Sequence, residues 1–111
     1  MTLIYKILPR AEWTAAVAAG HFRGSAVDLD DGYIHFSTGA QAAETARKYF
    51  LGQRDLVVLE VEGDVLGEAL KWEPSRGGDL FPHLYGPLAV GDVLAVREAP
   101  LRPDGVPRVP G

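Results

Sequence analysis

The side chains best suited to chemistry lie in one segment, Gly32 to Thr38, which reads Gly-Tyr-Ile-His-Phe-Ser-Thr. On a strand, side chains alternate, so Tyr33, His35 and Ser37 would share one face while the residues between them face the core. A strand does not need a phenol, an imidazole and a hydroxyl in a row for its stability, and imidazole titrates near neutral pH. We therefore predict His35 as a catalytic residue, with Tyr33 and Ser37 as binding residues beside it and a structural histidine as the alternative.

A second segment with histidine and aromatic residues runs from Phe81 to Tyr85. Alternation places His83 and Tyr85 on one face. Pro82 predicts an edge strand or an irregularity, because proline cannot donate a hydrogen bond to its neighbour. We predict a catalytic role for His83, with core packing as the alternative, and a binding role for Tyr85. The remaining histidine, His21, follows a helix stop, where contact with the last helical carbonyls predicts a structural role.

Charged and capping residues supply the other candidates. Glu73 ends a predicted strand beside a glycine-bearing loop, where it could act as a general base or accept a hydrogen bond from a sugar hydroxyl. The alternative is a solvated strand carboxylate. In that loop, Arg76 offers a planar fork of donors to an anionic ligand. Thr38, with Gln41 three residues later, forms a capping-box pattern, and the start of that helix favours phosphate or carboxylate.

Other site classes receive less support from the sequence. His35, His83 and Glu73 could together bind zinc, but the short-range ligand spacing of zinc motifs is absent, so we predict no metal. Ser37 does not lie on a Gly-x-Ser-x-Gly elbow, which disfavours a serine triad. Neither a P-loop nor a Gly-x-Gly-x-x-Gly motif occurs.

The length and composition of the chain limit the number of domains and the kinds of partner that we expect. The chain has 111 residues, 47% hydrophobic and 23% charged, which predicts one globular domain. It contains no cysteine, as is common in the reducing cytoplasm, where we expect the protein to lie. Neither a signal peptide nor an apolar run of ~18 residues is evident. The net charge of -4 without a basic stripe argues against nucleic acid and leaves a small anionic ligand as the expected partner.

The order of elements predicts an α+β fold. Strands at Leu3–Leu8 and Gly32–Ser37 alternate with helices around Trp13–Val17 and Ala42–Phe50, and only strands follow. The segment Asp55–Val61 is apolar on both faces, which is typical of a central strand. We expect a single domain over residues 1–99 with two early helices. Residues 100–111 hold four of the eight prolines and predict a loosely held tail.

Several motifs together resemble one known family. They are Ile4-Tyr5-Lys6-Ile7, Glu12-Trp13, the Gly32–Thr38 segment with Gln41, Asp55-Leu56-Val57-Val58-Leu59, Lys71-Trp72-Glu73 and Phe81-Pro82-His83-Leu84-Tyr85-Gly86-Pro87-Leu88. The chain resembles the bacterial and plant family known as domain of unknown function 952, over nearly its whole length up to about Val96.

That family is in turn similar to ADP-ribosyltransferase-like proteins, which hold NAD in a cleft of a split sheet. The resemblance implies a strongly bent or split, mostly antiparallel sheet and a ligand that is NAD or an ADP-ribose-like nucleotide. It implies that His35 and Ser37 bind the ribose and nicotinamide end, and that Glu73 acts on the reacting sugar. ADP-ribosyl transfer is then the expected reaction. A non-catalytic module that binds a small anion or a protein, and a hydrolase based on histidine and glutamate, remain as alternatives.

Overall fold

The computed structural model describes residues 2–110, except for the side chain of Arg76. Three α-helices lie in the first half of the described chain: α1 (Arg10–Ala19), α2 (Ala26–Asp31) and α3 (Gly39–Tyr49). Nine strands occur in the described residues: β1 (Leu3–Pro9), β2 (His21–Phe22), β3 (Ile34–His35), β4 (Ser37–Thr38), β5 (Leu56–Glu62), β6 (Leu70–Ser75), β7 (Asp79–Leu84), β8 (Leu88–Ala89) and β9 (Val93–Glu98). Short 3₁₀ turns occupy Gly63–Ala69, Arg76–Gly78 and Val90–Asp92.

The main sheet has four antiparallel strands in the order β4-β1-β5-β9. β1 and β5 are interior, and both bury nearly every residue. This confirms the prediction of a central strand near Asp55–Val61. Alternation sends Ile4 and Leu8 into one hydrophobic cluster, whereas Tyr5 and Ile7 enter a second cluster on the opposite face.

A smaller sheet carries the segments with histidine, in the antiparallel order β3-β7-β6. Its apolar face presents Ile34 and Leu84 to the first cluster, the one that contains Ile4 and Leu8. A third sheet pairs only β2 with β8. The fold is therefore α+β with antiparallel sheets, as predicted, and the β-structure is divided among three sheets.

The segment from Gly32 to Thr38 is not one strand. β3 pairs with β7 and β4 pairs with β1, so the chain passes from the small sheet to the main sheet at Phe36. The Phe36 side chain is buried in the first cluster, and its N–H donates to the Pro82 carbonyl at 3.0 Å. The crossing follows from this buried ring, which both sheets cover.

Pro82 lies in the central strand of the small sheet, which corrects the prediction of an edge position. In an antiparallel ladder, the N–H and C=O of one residue point to the same side. The Pro82 carbonyl accepts from Phe36, so it points toward β3. The position where an N–H would stand in another residue therefore also faces β3, at the point where that strand ends. The proline therefore leaves the pairing with β6 intact.

The helices differ from the prediction in number. α1 and α3 lie where the sequence predicts helices, and Thr38 caps α3 in a capping box with Gln41. The polar segment Asp28–Asp31, where the sequence analysis places no helix, belongs to α2, whose own capping box joins Ser25 and Asp28. Within the described residues, no helix is long and apolar enough to cross a membrane.

The chain beyond Ala99 packs against the body of the protein. Val106 is buried in the second cluster with Tyr5 and Ile7. The Gly52 N–H donates to the Gly105 carbonyl at 2.7 Å, and Leu101 pairs with Pro107 in an isolated antiparallel bridge. Proline prevents a long strand here, and the segment is instead held by the buried Val106 together with these backbone contacts.

Candidate functional site

Strand register brings both predicted histidine segments together on one face of the small sheet. His35 lies directly opposite His83, and Tyr33 and Tyr85 follow at the same end of this strand pair. The Tyr33 ring stacks on His83 at 4.1 Å between centroids and lies 4.6 Å from His35 and 5.2 Å from Tyr85. The two imidazoles meet edge to face at 5.5 Å. We call these four side chains the ring cluster.

Glu73 joins the ring cluster from the neighbouring strand. Its Oε1 contacts His83 Nδ1 at 2.8 Å and accepts a hydrogen bond from the Tyr85 hydroxyl, also at 2.8 Å. The bonds to His83 and Tyr85 lower the pKa of Glu73, and the carboxylate raises the pKa of Tyr85 in return. Glu73 is therefore a charged acceptor at neutral pH, and a carboxylate with a lowered pKa is a weak general base.

His35 is held between two carboxylates. Its Nδ1 lies 2.5 Å from Asp28 Oδ1, and its Nε2 lies 3.0 Å from Asp31 Oδ2. An ionised carboxylate can only accept, so each ring nitrogen that carries a proton is placed to donate to its carboxylate. The His35 backbone N–H also donates to Asp28 at 3.1 Å. This arrangement fixes the orientation of the imidazole.

Asp28 lies behind His35 and is almost completely buried, with 1% of its surface exposed. Its Oδ2 accepts from Lys6 Nζ at 2.8 Å and from the Ser25 backbone N–H at 2.8 Å. Burial raises the pKa of Asp28, but the hydrogen bond with His35 and the charge and hydrogen bond of Lys6 outweigh it and lower the pKa to about 2. Burial lowers the pKa of Lys6, against the opposing charge of Asp28.

Asp28 and Lys6 are not among the site residues predicted from the sequence. Ser25-x-x-Asp28 fits the capping-box pattern that predicts a helix start, and that signal would have placed Asp28 in the first turn of α2. No sequence pattern singles out Lys6. It occupies an interior strand between two core residues, where lysine is rarely buried without a partner.

Accessibility divides the ring cluster into two parts. His83 is 3% exposed and is covered by the Tyr33 ring, so a ligand does not reach its imidazole directly. Tyr85 is 40% exposed, and the side chains of His35 and Glu73 are about one-third exposed. Burial, together with the charges of Asp31, Glu73 and Asp28, raises the pKa of Tyr33, which keeps its phenol neutral. The accessible part therefore offers two phenols, an imidazole edge and a carboxylate.

Two predicted binding residues, Ser37 and Thr38, do not join this group. Ser37 lies in the main sheet and is buried. Its hydroxyl forms a hydrogen bond with the Thr45 hydroxyl at 2.8 Å. Thr38 caps α3, and its backbone N–H donates to Gln41 at 3.1 Å. The side chain of Arg76 lies outside the described part of the structure.

A shallow pocket adjoins the ring cluster. It measures about 300 Å³, and its walls include Arg23, Leu29, Tyr33 and Pro87. Of the residues predicted for the site, Tyr33 lines this pocket. Among the residues that the structure describes, no three histidine or acidic side chains are arranged to hold a metal ion.

Comparison with solved structures finds close similarity to protein CC0527 from Caulobacter crescentus. Its crystal structure is 63% identical, covers 96% of this chain and 94% of that chain, and superposes with a TM-score of 0.95. Its solution NMR structure is also 63% identical, with coverage of 97% and 93% and a TM-score of 0.88. No curated protein matches the chain.

A family profile matches the part of the chain that carries the ring cluster. The sequence profile described as "Protein of unknown function (DUF952)" matches residues 7–96, which include every residue of the ring cluster as well as Glu73 and Asp28. The chain therefore belongs to the DUF952 family of proteins of unknown function.

Proposed function

We propose that the ring cluster and Glu73 bind the sugar and the flat ring of a nucleotide-like ligand, such as NAD or ADP-ribose. The observation that carries this proposal is the convergence of His35, Glu73 and Tyr85 from three segments of chain on one accessible sheet face. Planar aromatic side chains suit a nucleobase or nicotinamide ring. A charged carboxylate suits a pair of ribose hydroxyls.

Each residue then has a distinct role. Tyr33 and Tyr85 provide faces for the flat ring, and Glu73 accepts from the ribose. His83 is a positioning residue, because its Nδ1 holds the Glu73 carboxylate at 2.8 Å while its own ring is buried. A ribose hydroxyl replaces the exposed carboxylate of Asp31 at His35 Nε2, while Asp28 keeps Nδ1 in place.

ADP-ribosyl transfer is the reaction that we propose for such a site. The bond between ribose C1′ and the nicotinamide nitrogen breaks, and nicotinamide leaves with the bonding electron pair. An acceptor nucleophile forms the new bond to C1′ and loses its proton to solvent. Positive charge develops on the sugar as the old bond breaks. The Glu73 carboxylate stabilises that charge, a role that suits its lowered pKa better than proton abstraction does.

Calorimetric titration with NAD and with ADP-ribose tests the binding proposal. We expect Glu73→Gln to weaken binding at least about ten-fold, because an amide replaces the charged acceptor. Glu44→Gln is the matched control, since it removes an exposed carboxylate from α3, away from the ring cluster. Absence of binding at millimolar ligand by the folded protein contradicts the proposal, and so does equal binding by both variants.

Nicotinamide release from NAD tests the proposed reaction separately. The wild-type protein is incubated with NAD and an acceptor such as water or a small guanidine, and nicotinamide is measured by chromatography. We expect release that Glu73→Gln abolishes and Glu44→Gln leaves unchanged. Binding of NAD without release in the wild type would indicate a non-catalytic binding module.

A further inference from the structure

The pocket beside the ring cluster has an unusual distribution of charge. The charged side chains among its walls are Arg23 and Asp28. Both carboxylate oxygens of Asp28 already have hydrogen-bond partners. Lys6 and the Ser25 N–H donate to one oxygen, and the backbone N–H and Nδ1 of His35 contact the other. Arg23 is exposed, and among the described residues no hydrogen bond or ion pair engages its guanidinium. Arg23 is therefore the charged side chain among these walls that remains open to an anion, although the whole chain is acidic.

The turn that carries Arg23 is anchored on both sides. The preceding strand β2 pairs with β8, and the following Ser25 N–H donates to Asp28. Between them, Gly24 has φ +125°, and a Cβ at this position would lie 2.8 Å from the Asp28 Cβ. Glycine is therefore required for the turn to pack against the buried carboxylate. This packing sets the Arg23 backbone at the pocket rim.

Two walls of the pocket are backbone without side chains. Gly32 and Gly86 both have positive φ, +87° and +150°, and a Cβ built at either would meet no atom within 4 Å. A ligand group can therefore approach the main chain closely at both positions. The volume of about 300 Å³ is at the lower end for ligand pockets, so it suits one sugar-phosphate portion better than a whole dinucleotide.

We propose that Arg23 and this pocket form an anion subsite that binds the phosphate or pyrophosphate group of a ligand whose ring lies on the ring cluster. Tyr33 belongs to both, so one ligand can span the subsite and the cluster. The guanidinium fork matches two phosphate oxygens, which a lysine ammonium cannot do in the same way. The identity of the rest of the ligand rests on the proposed function above, whereas the subsite can be tested without it.

The experiment uses inorganic pyrophosphate and ADP-ribose as probes in calorimetric titrations of the full chain. Arg23→Gln is compared with Arg23→Lys and with Arg47→Gln, a control that makes the same change in net charge on the exposed face of α3. We expect Arg23→Gln to weaken binding of both probes at least about ten-fold, Arg23→Lys to recover part of the loss, and Arg47→Gln to leave affinity unchanged. The wild-type affinity should also fall as salt rises, and less so in Arg23→Gln.

The outcomes separate the two proposals. If Arg23→Gln loses pyrophosphate binding and Arg47→Gln does not, the result supports the subsite. If, in addition, ADP-ribose binds no more tightly than pyrophosphate and Glu73→Gln has no effect, the subsite stands but the proposed function is contradicted. If Arg23→Gln binds pyrophosphate as well as the wild type does, or if the wild type binds neither probe, the subsite is wrong.

Discussion

Asp28 holds a buried negative charge that four donors share. A carboxylate in this position would be strongly unfavourable without partners, since burial opposes its charged form. Lys6, His35 and the Ser25 N–H favour the charged form more strongly than burial disfavours it. Through Asp28, they also connect the core of the main sheet with the accessible face of the small sheet. The residue that orients His35 is therefore also one that links the two sheets.

Stability should depend on the protonation of Asp28. Its pKa is about 2 in the folded protein, below the ordinary value of 3.8, so its charged form stabilises the fold above about pH 4. As pH falls from 4 to 2, that contribution, roughly 2 kcal/mol, should be lost. Urea unfolding of the wild type and of Asp28→Asn across this range measures it.

Asp30→Asn is the matched control for this pH dependence, because it removes an exposed carboxylate from the same helix. Asp28→Asn should lower the free energy of unfolding at pH 7 by about 3–5 kcal/mol, because Lys6 is left as an uncompensated buried charge. The double variant Lys6→Met/Asp28→Asn should recover part of this loss. Equal pH slopes in the wild type and Asp28→Asn would show that Asp28 does not cause the effect.

At the scale of elements, α2 is short but determines the geometry around His35. It supplies Asp28 from its first turn and Asp31 from its last residue, and these carboxylates contact the two nitrogens of one imidazole. The Ser25 hydroxyl also donates to Glu12 of α1 at 2.6 Å. The position of the helix therefore depends on its N-terminal cap.

Removing that cap should loosen the site. Ser25→Ala should lower the free energy of unfolding by about 0.5–2 kcal/mol, because the N-cap hydroxyl and its bond to Glu12 are lost. Thr14→Ala, at an exposed position in the middle of α1, is the control and should change stability by less than about 0.5 kcal/mol. Urea unfolding measures both. The His35 ring resonances in NMR spectra should shift in Ser25→Ala only; unshifted resonances would contradict a role for the cap in placing His35.

At the scale of the whole molecule, the main sheet separates two hydrophobic clusters. The small sheet packs Ile34 and Leu84 on one side, and α3 together with the end of the chain covers the other side through Ala46 and Val106. The ring cluster lies on the face of the small sheet opposite Ile34 and Leu84, so the core and the candidate site use alternate residues of the same strands.

The final segment should contribute to stability. Val106→Ala should lower the free energy of unfolding by about 1–3 kcal/mol, because a buried side chain is truncated next to Tyr5 and Ile7. Val65→Ala, at an exposed valine, is the control. Urea unfolding should separate the two variants clearly. If they are equally stable, the contact of the segment with the second cluster does not stabilise the fold.

Much of this structure follows from short stretches of sequence, because the features concerned are local. Alternation placed His35 with Tyr33 and His83 with Tyr85, apolar runs identified β1 and β5, and the Thr38 pattern located the start of α3. These features depend on the period of a strand or on the four free N–H groups of a helix start, which neighbouring residues control.

Tertiary structure decided what no local pattern specifies. It paired His35 with His83, divided the Gly32–Thr38 segment between two sheets at Phe36, and withdrew Ser37 into the core. It also brought Lys6 to Asp28 across 22 positions of sequence. Pairing between distant segments is determined by the packing of whole faces. The candidate site therefore does not consist of the row Tyr33-His35-Ser37. That site contains Glu73, Tyr85 and two histidines, and Asp28 holds one of them in place.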